Sequence, residues 1–184
     1  MSLVILHDTR LHGIPEAGLG RVITVNAQTP LATGLSRVAQ AAVFPVTELA
    51  IACHGYMSHE YNQMSNLDAR GGQGLQLCRE DLLVSNVSQT RVLRNVFDRI
   101  WIMACGPAGT IVHSSRPFCR EMAHYTNTQV IASDTAQRYH PGIYDHAAQV
   151  SRYVLRFGEW EGSVFRFTPD GNIESFNTSE TPLP

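Results

Sequence analysis

Lysine is missing from this chain: all 14 basic residues, over 184 positions, are arginine. Lysine is ordinarily among the commonest residues. Its absence is read as the codon usage of a GC-rich genome, with selection against ubiquitination or another lysine modification as the alternative. Charge is scarce altogether. Charged residues make up 16% and the formal net charge is −2, so nothing electrostatic recruits nucleic acid or an acidic membrane surface. Long apolar runs are lacking too, none approaching the roughly 20 residues that span a bilayer. The opening "MSLVILHDTR" has no basic region and too short an apolar stretch for a secretory signal. The expected location is therefore cytoplasmic, with export as an effector by a specialised system as the alternative. The four cysteines, Cys53, Cys78, Cys105 and Cys119, have irregular spacings and no C-x-x-C pair, which reads as free thiols rather than a disulfide framework. No repeat, low-complexity tract or Pro/Gly/Ser linker divides the chain, so a single domain is expected over 1–184, with 179–184 as a frayed tail.

What is present is a series of short apolar runs in a chain that is 43% hydrophobic, enough for a substantial core. "LVIL" at 3–6, "RVITVN" at 21–26, "ELAIAC" at 48–53, "RIWIMAC" at 99–105 and "QVIAS" at 129–133 are of strand length. They are continuous rather than alternating, the pattern of parallel strands buried on both faces. Helical spacing occupies the intervals. "PLATGLSRVAQAAVF" (30–44) begins with a proline at a first helical position, and "SSRPFCREMAHYT" (114–126) has Pro117 near its first turn. "REDLLVSNVSQTRVLRNVF" (79–97) predicts a third helix with a break near Ser85–Ser88. Strand–helix–strand alternation points to an α/β fold with a mostly parallel sheet, followed by a hairpin around Asp170-Gly171.

In such sheets ligands and catalytic groups gather beyond the carboxyl ends of the strands. Two strands end there in reactive residues: His54-Gly55 after "LAIAC" and Cys105-Gly106 after "RIWIMA". A cysteine nucleophile needs a base or an imidazolium neighbour, and donors for the oxyanion formed when its thiolate attacks a carbonyl. His54 and Cys105 on neighbouring strand ends meet the first need. Gly55, lacking a Cβ, lets its N–H approach a substrate carbonyl, and the N–H of Cys105 or Gly106 is a second donor. Cys53 is expected to point to the face opposite His54, into the core.

A strand ending in His-Gly followed by one ending in Ala-Cys resembles the caspase-like (clan CD) cysteine peptidases, as a distant member of bacterial type. The two residues are 51 positions apart, close to the roughly 50 of caspases. Met103-Ala104-Cys105-Gly106-Pro107 matches the caspase Q-A-C-[RQG]-G pattern at Ala-Cys-Gly and departs from it on both sides. "GGQGLQL" (71–77) resembles the β-ribbon, and the helix after it, that lie between the catalytic strands of that family. "FCREMAHYTNTQVIASD" (118–134) resembles the helix and strand that follow its cysteine. The likeness covers residues 45–135. It implies a three-layer sandwich with helices flanking a mostly parallel sheet, and endopeptidase activity with Cys105 as nucleophile and His54 as base. It further implies Gly55 and Gly106 at the oxyanion site, a peptide or protein substrate, and no cofactor. Two alternatives stand beside it: a catalytically silent binding module on the same fold, and another amide hydrolase or acyl transferase using the same dyad.

Other thiol and serine chemistries do not fit the order of residues. Papain-like enzymes place cysteine before histidine, a Cys-x5-Arg phosphatase loop would need arginine where Ile111 stands, and "TGLSR" lacks the second glycine of a G-x-S-x-G elbow. A metal site built from His54, His59, Glu60, Cys53 and Cys105 is not expected, because His59-Glu60 reaches Gln63 where H-E-x-x-H needs a second histidine. Asp134 is a candidate acidic wall for a basic substrate side chain, with a turn-capping role as the alternative. Arg70-Gly71 is a candidate self-cleavage point, with a merely solvated loop arginine as the alternative.

Overall fold

The computed structural model describes residues 2–15, 18, 20–42, 47–56, 71–109, 116–137, 140–145, 150–155 and 160–179. Its strands in chain order are β1 (Ser2–Asp8), β2 (Ile14–Pro15), β3 (Arg21–Val25), β4 (Thr47–Ala52), β5 (His54–Gly55), β6 (Gly74–Gln76), β7 (Leu82–Leu83), β8 (Arg99–Met103), β9 (Gln129–Ser133), β10 (His140–Asp145), β11 (Val150–Leu155), β12 (Val164–Phe167) and β13 (Ile173–Ser175). The helices are α1 (Leu31–Ala41), between β3 and β4, and α2 (Pro117–Thr126), between β8 and β9. Among the described residues no helix is long and apolar enough to cross a membrane.

Seven strands form one sheet in the order β13-β12-β9-β8-β4-β1-β3. The five at the β3 end are parallel, and β12 and β13 continue the sheet as an antiparallel hairpin. Each apolar run named from the sequence is one of the parallel strands. Alternate side chains explain why the runs are unbroken. Val4, Leu6, Leu49, Ile51, Ile100, Ile102 and Val130 enter one apolar cluster, and Leu3, Ile5, Ala50, Trp101 and Ile131 enter another on the opposite face.

The chain steps in one direction across the sheet from β3 to β4 and from β8 to β9. Crossovers of one hand therefore lay α1 and α2 on the same face. Both helices do feed the first cluster, through Leu31, Leu35 and Val38 of α1 and Phe118, Met122 and Ala123 of α2. The step from β1 to β3 runs the other way and carries β2, which pairs with β11 in a small separate sheet. Helices on both faces were expected; among the described residues they occupy one face.

The helix predicted within 79–97 is a correction. The segment forms β7 and a 3-10 helix, Val87–Leu93, whose buried residues Val87, Thr90 and Leu93 recur every three positions, the 3-10 period. Left-handed backbone at Asp81 and Asn95 brackets the segment. Asn86 takes the Leu83 N–H on its side-chain oxygen and donates to the Asp81 carbonyl, a turn that competes with an α-helix. "GGQGLQL" forms the expected ribbon, with β6 paired antiparallel to β5 and to β7.

α1 starts at Pro30 with no capping side chain of its own. Glu80, far away in sequence, supplies one: its carboxylate accepts the Leu31 N–H at 2.7 Å. That bond, with Arg79 beside it, lowers the Glu80 pKa. A lowered carboxyl pKa contributes stability that is present above the unfolded value and lost as the pH falls through the folded one. Glu80→Gln is therefore expected to lower the urea midpoint at pH 7. The effect should be smaller at about pH 3, below the usual glutamate range, where the carboxylate begins to be protonated in the folded state as well. Denaturation curves at the two pH values check both outcomes.

Candidate active site

β4 and β8 are neighbours, paired parallel with Ala52 opposite Met103. His54 and Cys105 each lie two residues beyond that pair, so they stand level at the carboxyl edge of adjacent strands. The backbones converge there. A Cβ on Gly55 would overlap the Cys105 carbonyl, and one on Gly71 (φ +71°) would overlap the Gly106 carbonyl. Gly72 N–H donates to that same Gly106 carbonyl at 2.9 Å. Glycine at 55 and 71 is thus required by close approach, and the glycine ribbon clasps the turn that carries the cysteine.

Cys105 is half-buried and its thiol donates to the Gln137 carbonyl, with sulfur and oxygen 3.8 Å apart. Burial pushes the Cys105 pKa up and Glu161 adds to the rise, while backbone hydrogen bonding at Gln137 and, less, at Gly55 works against them. The resting group is therefore a thiol, which needs a base to become a nucleophile. The other cysteines, all unpaired by disulfide, are buried. Cys53 packs into the core next to His54, as expected, and burial raises its pKa strongly.

His54 is exposed. Its Nε2 is 3.1 Å from the Arg10 carbonyl oxygen. A carbonyl only accepts, so the neutral imidazole bonded to it carries its proton on Nε2 and keeps the Nδ1 lone pair. No hydrogen bond joins the His54 and Cys105 side chains to each other among the described contacts. Arg10 belongs to a polar cluster that the sequence reading passed over. Asp8, wholly buried at the end of β1, accepts the Arg10 N–H and Nε at 3.0 Å each, the Arg10 Nη2 at 2.8 Å and the Cys78 N–H at 2.8 Å. Burial alone would raise the Asp8 carboxyl; the Arg10 and Cys78 donors outweigh it and hold it below its ordinary value. Arg10 also reaches Asp81 at 3.3 Å, and Asp81 accepts the hydroxyl of Tyr56, just past Gly55. A charged pair ending the first apolar strand, in "HDTR", was the available signal. The crevice beside β1, where the strand order reverses, is where such a sheet binds ligands.

Gly106 spends its own N–H on the Thr135 carbonyl at 2.9 Å, which leaves it shaping the turn (φ +64°) rather than donating. Asp134 accepts the Ser163 N–H at 3.1 Å and faces Arg116 at 3.7 Å, so its charge is already matched. His59, Glu60, Gln63, Arg70 and Ile111 lie outside the described residues, as does the chain beyond 179. Among the described residues no group of three or more His, Cys, Asp or Glu could hold a metal ion.

In comparisons with known proteins, no family model, no curated protein and no solved structure matches this chain.

The close approach at Gly55 has a measurable consequence. Gly55→Ala forces the two strand-end backbones apart and is expected to cost more than about 2 kcal/mol. Gly171→Ala, at φ +91° with open space around it, should cost only the left-handed strain of roughly 1–2 kcal/mol. Urea unfolding of both variants tests the contrast, and equal losses contradict it.

Proposed function

We propose that this chain is a cysteine endopeptidase of caspase-like architecture, with Cys105 as nucleophile and His54 as base. The observation that carries the reading is the level placement of His54-Gly55 and Cys105 beyond adjacent parallel strands. The strand order, with its switch beside β1, supports it, since the residues gather where such sheets bind ligands.

His54 Nδ1 takes the thiol proton as Sγ attacks the scissile carbonyl carbon. The resulting oxyanion meets the Gly55 N–H and the Cys105 N–H, the second donor left once Gly106 is engaged by Thr135. The imidazolium then protonates the leaving amine, the C–N bond breaks, and a thioester joins Cys105 to the acyl half. Water, deprotonated by His54, hydrolyses the thioester and restores the thiol. Asp134, matched by Arg116 and Ser163, contributes no free charge to substrate selection. The thiol's bond to Gln137, in place of the imidazole, favours as second reading a caspase-like binding module that cleaves nothing.

A peptidyl acyloxymethyl ketone library separates the two. Labelling of the wild-type chain at Cys105 is expected, lost in Cys105→Ala and slowed by about 10²- to 10⁴-fold in His54→Ala. Equal labelling of wild type and Cys105→Ala overturns the peptidase reading.

A further inference from the structure

We infer that Asp8 is a positioning residue for the site: by gripping Arg10 it fixes the carbonyl to which His54 is bonded, and thereby sets the tautomer and orientation of the imidazole. Its catalytic consequence rests on the base role proposed for His54; its structural consequence does not.

Arg10 sits in the turn that leaves β1, and its carbonyl is the partner of His54 Nε2 at 3.1 Å. A carbonyl in a surface turn is free to swing unless the residue is held on several sides. Here Asp8 holds both parts of Arg10 at once. One carboxylate oxygen takes the Arg10 N–H, closing a turn over Asp8–Arg10, and both oxygens take the guanidinium. The Leu11 N–H returns to the Asp8 carbonyl at 3.0 Å and the Thr9 N–H goes to Val25 at 2.9 Å, so the peptide that carries the Arg10 carbonyl and the one that enters Thr9 are tied as well. The Nη2 that meets Asp8 also donates to the Cys78 carbonyl at 2.7 Å, and Nη1 reaches Asp81 at 3.3 Å.

Among the described residues, the charged and titratable groups coupled to Asp8 are Arg10 and the thiols of Cys53 and Cys78, with Asp81 and, through it, Tyr56 joined by way of Arg10. Arg10 is the cation of this set and serves both Asp8 and Asp81. A buried carboxylate with one such partner is kept at a cost in desolvation. A packing role would be served as well by an apolar residue; aiming a carbonyl at an imidazole would not. The arrangement matches a general requirement: a histidine used for proton transfer needs one ring nitrogen held by a fixed acceptor so that the other stays a base.

The test uses the full chain labelled with ¹⁵N-histidine, with His54→Gln to assign the His54 ring. At pH 8, above the ordinary histidine pKa of about 6.5, wild type should show one tautomer, protonated at Nε2. Asp8→Asn should give a mixture of tautomers. It should also lower the maximal rate of inactivation by the acyloxymethyl ketone about 10- to 100-fold, as loss of an orienting partner does, with the apparent probe affinity unchanged. Asp8→Asn/Arg10→Met removes the pair without leaving an uncompensated buried charge, and should show the same mixture if the single variant fails to fold. A single Nε2 tautomer retained in a folded Asp8 variant overturns the inference. If the wild type takes no label, the endopeptidase reading fails while the tautomer measurement still decides the role of Asp8.

Discussion

The parallel register of β4 and β8 is the constraint on which the site depends. With Ala52 opposite Met103, the residues two steps further on are level, and one of them is a histidine and the other a cysteine. Side chains alternate along a strand, so a slip of one residue would exchange Cys53 for His54 at the edge and bury an imidazole among apolar groups. The core prevents that slip. Leu49 and Ile51 face the helices while Ala50 lies against Trp101 on the other side, and shifting the strand would invert every one of these contacts. The apolar faces that fold the sheet thus also hold the reactive edge in place.

Around that edge the chain uses two different means of close control. On the cysteine side it is steric: glycines at 55 and 71 admit the carbonyls of Cys105 and Gly106 where any side chain would collide. On the histidine side it is electrostatic: one buried carboxylate, Asp8, ties the turn after β1 to the ribbon turn at Cys78 and, through Arg10 and Asp81, to Tyr56. Breaking such a pair on one side leaves an unmet buried charge, which is costly. The ribbon between β4 and β8 is in this way attached both to the cysteine turn and to the β1 turn.

The elements legible in the sequence were those specified locally. The five parallel strands, both α-helices and the β12–β13 hairpin follow from runs of apolar residues, a proline at a helix start and an Asp-Gly turn, each readable within a short window. The segment 79–97 was misread because its apolar spacing suits a helix, while its conformation is decided by the Asn86 side chain bonding the backbone of Leu83 and Asp81 and by left-handed residues at Asp81 and Asn95. Within the candidate site, His54, Cys105 and Gly55 were legible because their strand-end position marked them. Asp8 and Arg10 were not, because an acid–base pair at a strand end looks like ordinary surface charge until something buries it.

The sequence by itself determined an α/β chain with a mostly parallel sheet, free cysteines with Cys53 in the core, and a histidine and a cysteine closing two of its strands. Those follow from side-chain chemistry and short-range periodicity. Only the tertiary structure decided that β4 and β8 are neighbours in level register, that the Gly106 N–H belongs to Thr135, that Asp134 is matched by Arg116 and Ser163, and that Asp8 reaches His54 through the Arg10 carbonyl. Each of these joins residues distant in the chain through a backbone group or an ion pair, and every residue but proline carries the same backbone groups whatever its side chain, so their partners are chosen by packing.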